Sequence, residues 1–133
     1  MQAKENRKTT RVDLENPVRV VLGSIGSSIR YDLLTHNISH NGFFLNFDKP
    51  GRFPFTPASI MEVWLELGED EGTLFLNGKL ARIVMPEEKD GIKQGESGIA
   101  IRIVQIDREN EEKLRLFIEK HASAHEKDSK HVA

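Results

Sequence analysis

The feature that most constrains this chain is a run of short apolar alternations of period two, joined by hairpin-length polar turns, with no helical pattern between them. The clearest is Ser59 to Leu67, where Met61, Val63, Leu65 and Leu67 share one face and Glu62 and Glu66 the other. Successive strand side chains point to opposite faces, so this pattern predicts a half-buried antiparallel strand. Pro17 to Gly23 repeats it with Val18, Val20 and Leu22, and Ile29 to Leu34 forms a second strand. Phe43 to Phe47 alternates Phe43, Leu45 and Phe47 against Phe44 and Asn46, a cluster read as core. Thr73 to Val84 is one long strand in which Gly78 marks a bend or bulge, and Gly98 to Val104 places Ile99, Ile101 and Ile103 on one face. About six strands emerge, leaving no place for parallel βαβ units, and the fold predicted is a compact antiparallel barrel or sandwich.

Only the C-terminal stretch has a helical period. Asp107 or Asn110 can cap it, Glu109, Glu111 and Glu112 suit its positive end, and Leu114, Phe117, Ile118 and His121 recur at helical spacing. One amphipathic helix should therefore cover the strands. Residues 122–133 are small, charged and unpatterned and read as a disordered tail, and residues 1–16 read as a flexible N-terminal arm. Residues 17–121 form the domain between them. The irregular Arg52 to Pro57 segment carries Phe53 and Phe55, which can anchor that loop or face a partner.

Composition narrows the function classes. The chain has 133 residues, enough for one domain, and a net charge of −2, which argues against general attraction to nucleic acid or acidic lipid. A nucleic-acid-binding small barrel is a further alternative, against which the scarcity of aromatic residues, at 7%, counts. No apolar run is long enough to cross a bilayer and the N-terminus opens no secretory core, so a cytoplasmic location without membrane insertion is expected. The absence of cysteine excludes disulfides, thiolate catalysis and cysteine-held metal. His36 and His40 lie far in sequence from His121 and His125, no second ligand cluster accompanies either pair, and nothing supplies an orienting group and oxyanion site beside a nucleophile. The chain reads as a binding domain, with no enzyme activity, metal or resident cofactor expected.

Two motifs say what kind of binding. Asn37, Ser39 and Gly42 form N-x-S-x-x-G in a polar turn between two strands, where Asn and Ser side chains bond nearby backbone and Gly allows close approach. Upstream, Arg7 and Arg11 form R-x-x-x-R among Lys4 and Lys8, and four-residue spacing puts both guanidinium groups on one side of a helix or a strand. A guanidinium fork suits phosphate or the O6/N7 edge of guanine. Alone, the arginine motif reads first as a solvated basic terminus and the asparagine–serine motif as a rigid turn. Together they point to a site for an anionic, planar ligand.

Arg7-Lys8-Thr9-Thr10-Arg11, a strand hairpin, Asn37-Ile38-Ser39-His40-Asn41-Gly42, further strands, Ser97-Gly98-Ile99-Ala100-Ile101 and a last helix resemble the PilZ domain, over about Arg7 to His121. The resemblance implies a six-stranded antiparallel barrel with a C-terminal helix that binds the bacterial second messenger cyclic di-GMP. It implies that the arginine segment closes over the nucleotide and that the asparagine–serine turn borders a guanine. Arg7, Arg11, Asn37, Ser39 and Gly42 are the ligand residues it implies, with Asn6, Lys8, His40 and Asn41 as further candidates. Asn37 can accept from guanine through one oxygen, a weaker match to two adjacent guanine donors than the aspartate also found in the family. Asn6 stands where many members carry a further basic residue, which leaves one ligand or a stacked pair open. A downstream protein effector is expected to read the ligand-bound surface. Motility and biofilm regulation are associations of the family, and a barrel that has become a nucleotide-independent interaction module is the alternative.

Overall fold

The computed structural model describes residues 11–48, 50, 53–68 and 71–132, with side chains omitted at 93, 94 and 123–132. Among the described residues eight strands and one helix follow in order: β1 (Val12–Ser24), β2 (Tyr31–Ile38), β3 (Gly42–Asn46), β4 (Met61–Gly68), β5 (Gly72–Val84), β6 (Glu87–Lys89), β7 (Ile92–Gln94), β8 (Gly98–Gln105) and α1 (Arg108–Val132). Six of the strands close into an antiparallel barrel in the order β1-β2-β3-β8-β5-β4, and β6 and β7 form a separate hairpin. Closure makes inward and outward residues alternate around the wall. Met61, Val63, Leu65, Leu67, Val18, Val20, Leu22, Ile99 and Ile101 are all buried, as their period-two spacing predicts.

Three boundaries differ from the sequence expectation. β1 begins at Val12, not at Pro17, so residues 12–16 belong to the barrel and not to an arm. Val12 and Leu14 are buried and anchor this stretch, while Pro17 sits where the β1–β2 register shifts between Asp13 and Val18. A proline has no N–H to give a ladder, and an irregularity is where a strand tolerates one. At the other end, α1 runs on to Val132 through the stretch expected to be a disordered tail. That stretch contains neither Gly nor Pro to stop a helix. Between β5 and β8, where the polar Pro86 to Gly91 stretch reads as a loop by composition, the chain forms a hairpin turning at Asp90 and Gly91, both with positive φ, the conformation an Asp-Gly pair favours.

Each end of the barrel is closed differently. Leu114, Phe117 and Ile118 of α1 are buried, and the helix packs on β1 and β5. Asp107 is its N-cap: a carboxylate oxygen accepts from the Asn110 N–H at 2.8 Å. Asn110 in turn accepts from the Phe75 N–H at 3.0 Å, which fixes the helix start to β5. Where β1 ends and β4 begins, Tyr31, Phe47, Phe53 and Phe55 pack edge to face with ring centroids 5.0–6.4 Å apart. Phe53 and Phe55 thus anchor their loop, the first of the two roles open to them. Among the described residues, no helix is long and apolar enough to cross a membrane.

Candidate functional site

The ladder brings the two sequence motifs together. Val12 pairs with Ile38 and Asp13 with Asn37, so the start of β1 lies along the end of β2 and Arg11 falls beside the Asn37–Gly42 turn. Arg7, Lys8 and Asn6 lie outside the described residues. Arg11, Asn37, Ser39, Asn41 and Gly42 line one open groove of about 420 Å³ with Phe44, Arg82, Glu96, Ala100 and Arg102. His40 is an exposed turn residue and is not among the groove residues. His36 bonds Asn46 across the β2–β3 surface at 2.9 Å.

The motif residues do different jobs. Ser39 is spent inside the loop: its hydroxyl accepts from the Asn41 N–H at 3.2 Å and the Gly42 N–H at 3.3 Å, and donates to the Gly42 carbonyl at 3.2 Å. Its N–H also donates to the Gly42 carbonyl at 2.9 Å. In this structure the hydroxyl therefore shapes the turn and does not face the groove with an idle proton. Gly42 is required by the barrel, because a Cβ there would sit 2.1 Å from the Ile101 carbonyl oxygen on β8. The sequence reading gave that closeness to a ligand; the neighbour that demands it is a strand.

Asn37 is the opposite case. It is 9% exposed, and its side-chain amide makes no hydrogen bond among the described residues. A buried amide without a partner is costly, so such a group at a groove wall is a ready acceptor and donor for something that enters. Its position comes from a bulge between Thr35 and Asn37 in the β2–β3 pairing. The Thr35 hydroxyl, fully buried, holds that bulge at 2.7 Å from the Asn37 carbonyl and 2.6 Å from the Phe44 carbonyl. Sequence reasoning passed over Thr35, since one threonine in a strand carries no signal of its own.

Arg11 is exposed and touches Asp13 only loosely, at 3.8 Å. Arg82 and Arg102 were also missed. Arg102 alternates outward between Ile101 and Ile103, which is visible in the sequence, but its place beside Gly42 follows only from the β3–β8 register. Gly42 and Ala100 keep the floor of the groove low, and at the other end of the β3–β8 pairing a Cβ at Gly98 would lie 2.0 Å from the Leu45 carbonyl oxygen. His121, midway along α1, packs on Phe117 with ring centroids 4.3 Å apart, and burial lowers its pKa.

A closed six-stranded antiparallel barrel, with an open groove on its outer wall and a C-terminal helix over one end, defines a small helix-capped β-barrel domain. The PilZ domain model matches residues 5–120, and the chain belongs to the PilZ domain family. Its fold is shared by the PilZ domain of Escherichia coli YcgR solved with c-di-GMP, at a TM-score of 0.66 and 12% identity over 93% of this chain and 97% of that one. It is shared by the K. pneumonia MrkH–c-di-GMP complex, at 0.69 and 14%, over 91% of this chain and 54% of that one. The Bacillus subtilis inhibitor of motility, MotI/DgrA, matches at 0.64 and 15%, over 90% of this chain and 50% of that one. The chain thus spans about half the length of MotI and MrkH. No curated protein matches it.

Proposed function

We propose that this chain is a cyclic di-GMP receptor without enzyme activity, acting in the cytoplasm and passing the signal to a protein partner. The observation that carries the reading is Asn37, whose buried side-chain amide has no hydrogen bond among the described residues, on a groove that Arg11 also lines. Asn37 meets a guanine edge, Arg11 and Arg7 take phosphate or the guanine O6/N7 edge, and residues 4–10 are drawn over the nucleotide. Cyclic di-GMP in the YcgR and MrkH structures supports the choice of ligand. Ordering the arm costs roughly 1–2 kcal/mol per residue, so a micromolar affinity, about −8 kcal/mol, is expected. The altered charge and shape of this barrel face is then what the partner reads.

Ser39 and Gly42 do not discriminate between a receptor and a barrel that has lost its ligand, because both have structural work in either case. The test therefore turns on the other residues. Calorimetric titration of cyclic di-GMP into the full chain should saturate, and Arg7→Ala/Arg11→Ala, with an unchanged circular dichroism spectrum, should lose it. Amide exchange in residues 4–12 should slow with ligand. Absence of heat and of competition at high micromolar nucleotide would leave a nucleotide-independent interaction module.

A further inference from the structure

The β3–β8–β5 wall carries more positive charge than its own structure uses. Arg19, Arg30 and Arg115 all have carboxylate partners. Among the described residues Arg82, Arg102 and Arg108 have none, and of these only Arg82 and Arg102 line the groove. Arg102 also stands directly opposite Lys79 in the β5–β8 register. Like charges directly opposite on neighbouring strands destabilise the pair. Neither Lys79 nor Arg102 forms an ion pair among the described residues, and the one carboxylate that lines the groove with Arg102 and Arg82, Glu96, bonds neither of them.

Register also gives the spacing. Asn37 pairs with Phe44, Phe44 with Ala100 and Ala100 with Arg82. Three inter-strand steps of about 4.8 Å separate Asn37 from Arg82 by about 14 Å. A group held at Asn37 by one end therefore extends over the small Gly42 and Ala100 positions toward Arg102 and Arg82.

We propose that Arg82 and Arg102 are the phosphodiester-binding residues of this wall, receiving the ligand's anionic backbone while Asn37 holds a base. The assignment rests on the reading of the groove as a cyclic di-GMP site. It gives the chain a sheet-borne cationic pair, independent of the N-terminal arginines, at a site where Asn6 offers no charge. An anion held at Arg102 offsets the unfavourable opposition of that guanidinium with Lys79.

The experiment is a calorimetric titration of cyclic di-GMP, at two or more salt concentrations, into the full chain and into Arg82→Gln, Arg102→Gln and the double variant, with Arg108→Gln as control. Each single change should weaken binding roughly tenfold and the double about 100-fold, as expected for lost hydrogen bonds to a charged group. The double variant's affinity should fall less steeply with salt. Thermal melting should stay level or rise, since the Lys79 opposition is relieved, and the singles carry the test if the double melts early. Wild-type binding that the double variant retains within about twofold, at the same salt slope, overturns this assignment and leaves the nucleotide reading standing. A wild-type chain that takes up no cyclic di-GMP overturns both.

Discussion

Arg19 and Arg102 are both outward arginines on barrel strands, yet their surroundings are opposite. On the β1–β2–β4 side, Arg19 bonds both Asp32 oxygens, at 2.6–2.9 Å, and Glu66 at 2.5 Å. On the β3–β5–β8 side, Arg102 faces Lys79 across the ladder and Gly42 on its other flank, with no carboxylate partner among the described residues. Asn37 and Ser39 repeat the contrast within one turn, the first with a side chain that makes no hydrogen bond among the described residues and the second with one fully used. A side chain already engaged in the fold is tested by stability, whereas one that the fold leaves unengaged in a concave place is tested by ligand binding.

The largest effect expected from breaking this division is at Gly42. Gly42→Val places carbon atoms where the Ile101 carbonyl lies, and β3 must part from β8. A loss of about 3 kcal/mol or more, and a melting temperature lower by roughly 10 °C, should follow. A variant that melts like wild type would show that the strands separate cheaply and that Gly42 serves the groove after all. Thr35→Val comes next, at about 1–3 kcal/mol, because the Asn37 and Phe44 carbonyls lose their buried hydroxyl donor. It should also weaken nucleotide binding, since the bulge that presents Asn37 loses its tie.

Asn37→Ala separates the two kinds of residue most cleanly. Affinity for cyclic di-GMP should fall by roughly 1–3 kcal/mol, read by calorimetry. Stability should stay within about 0.5 kcal/mol of wild type, since no hydrogen bond among the described residues is lost. A clear drop in melting temperature with unchanged affinity would move Asn37 into the structural group with Ser39.

The sequence made the barrel legible because its signal is local. Met61, Val63, Leu65 and Leu67 announce an inward face without reference to any other strand, and Leu114, Phe117 and Ile118 do the same for the helix. The start of β1 was harder, since Val12 and Leu14 are two apolar residues in a charged stretch and owe their burial to the closed barrel. The hairpin at Asp90-Gly91 had a readable signal in that dipeptide, which its polar surroundings obscured. Half of the groove was legible through the turn motif and Arg11. Arg82, Arg102 and Thr35 were not, because what distinguishes them is which neighbour they lack or hold across strands that are distant in sequence.

The smallest effect belongs to the engaged arginine, and its value is as the mirror of Arg102. The hydrogen bond from Arg19 holds the Asp32 carboxyl below its ordinary value near 3.8. A carboxyl with a lowered folded pKa contributes stability that is present above the unfolded value and is lost as pH falls through the folded one. Arg19→Gln should therefore lower the melting temperature slightly at neutral pH, and the gap from wild type should close as acid protonates Asp32 in both proteins. The pair is solvent-exposed, so salt should shrink the same gap. Nucleotide affinity should not move, because Arg19 lies outside the groove. Arg102→Gln should do the reverse, with affinity reduced and melting level or improved. If instead both substitutions changed stability alike and left affinity alone, the two barrel faces would be equivalent and the unpaired charge on the second would have no ligand to account for it.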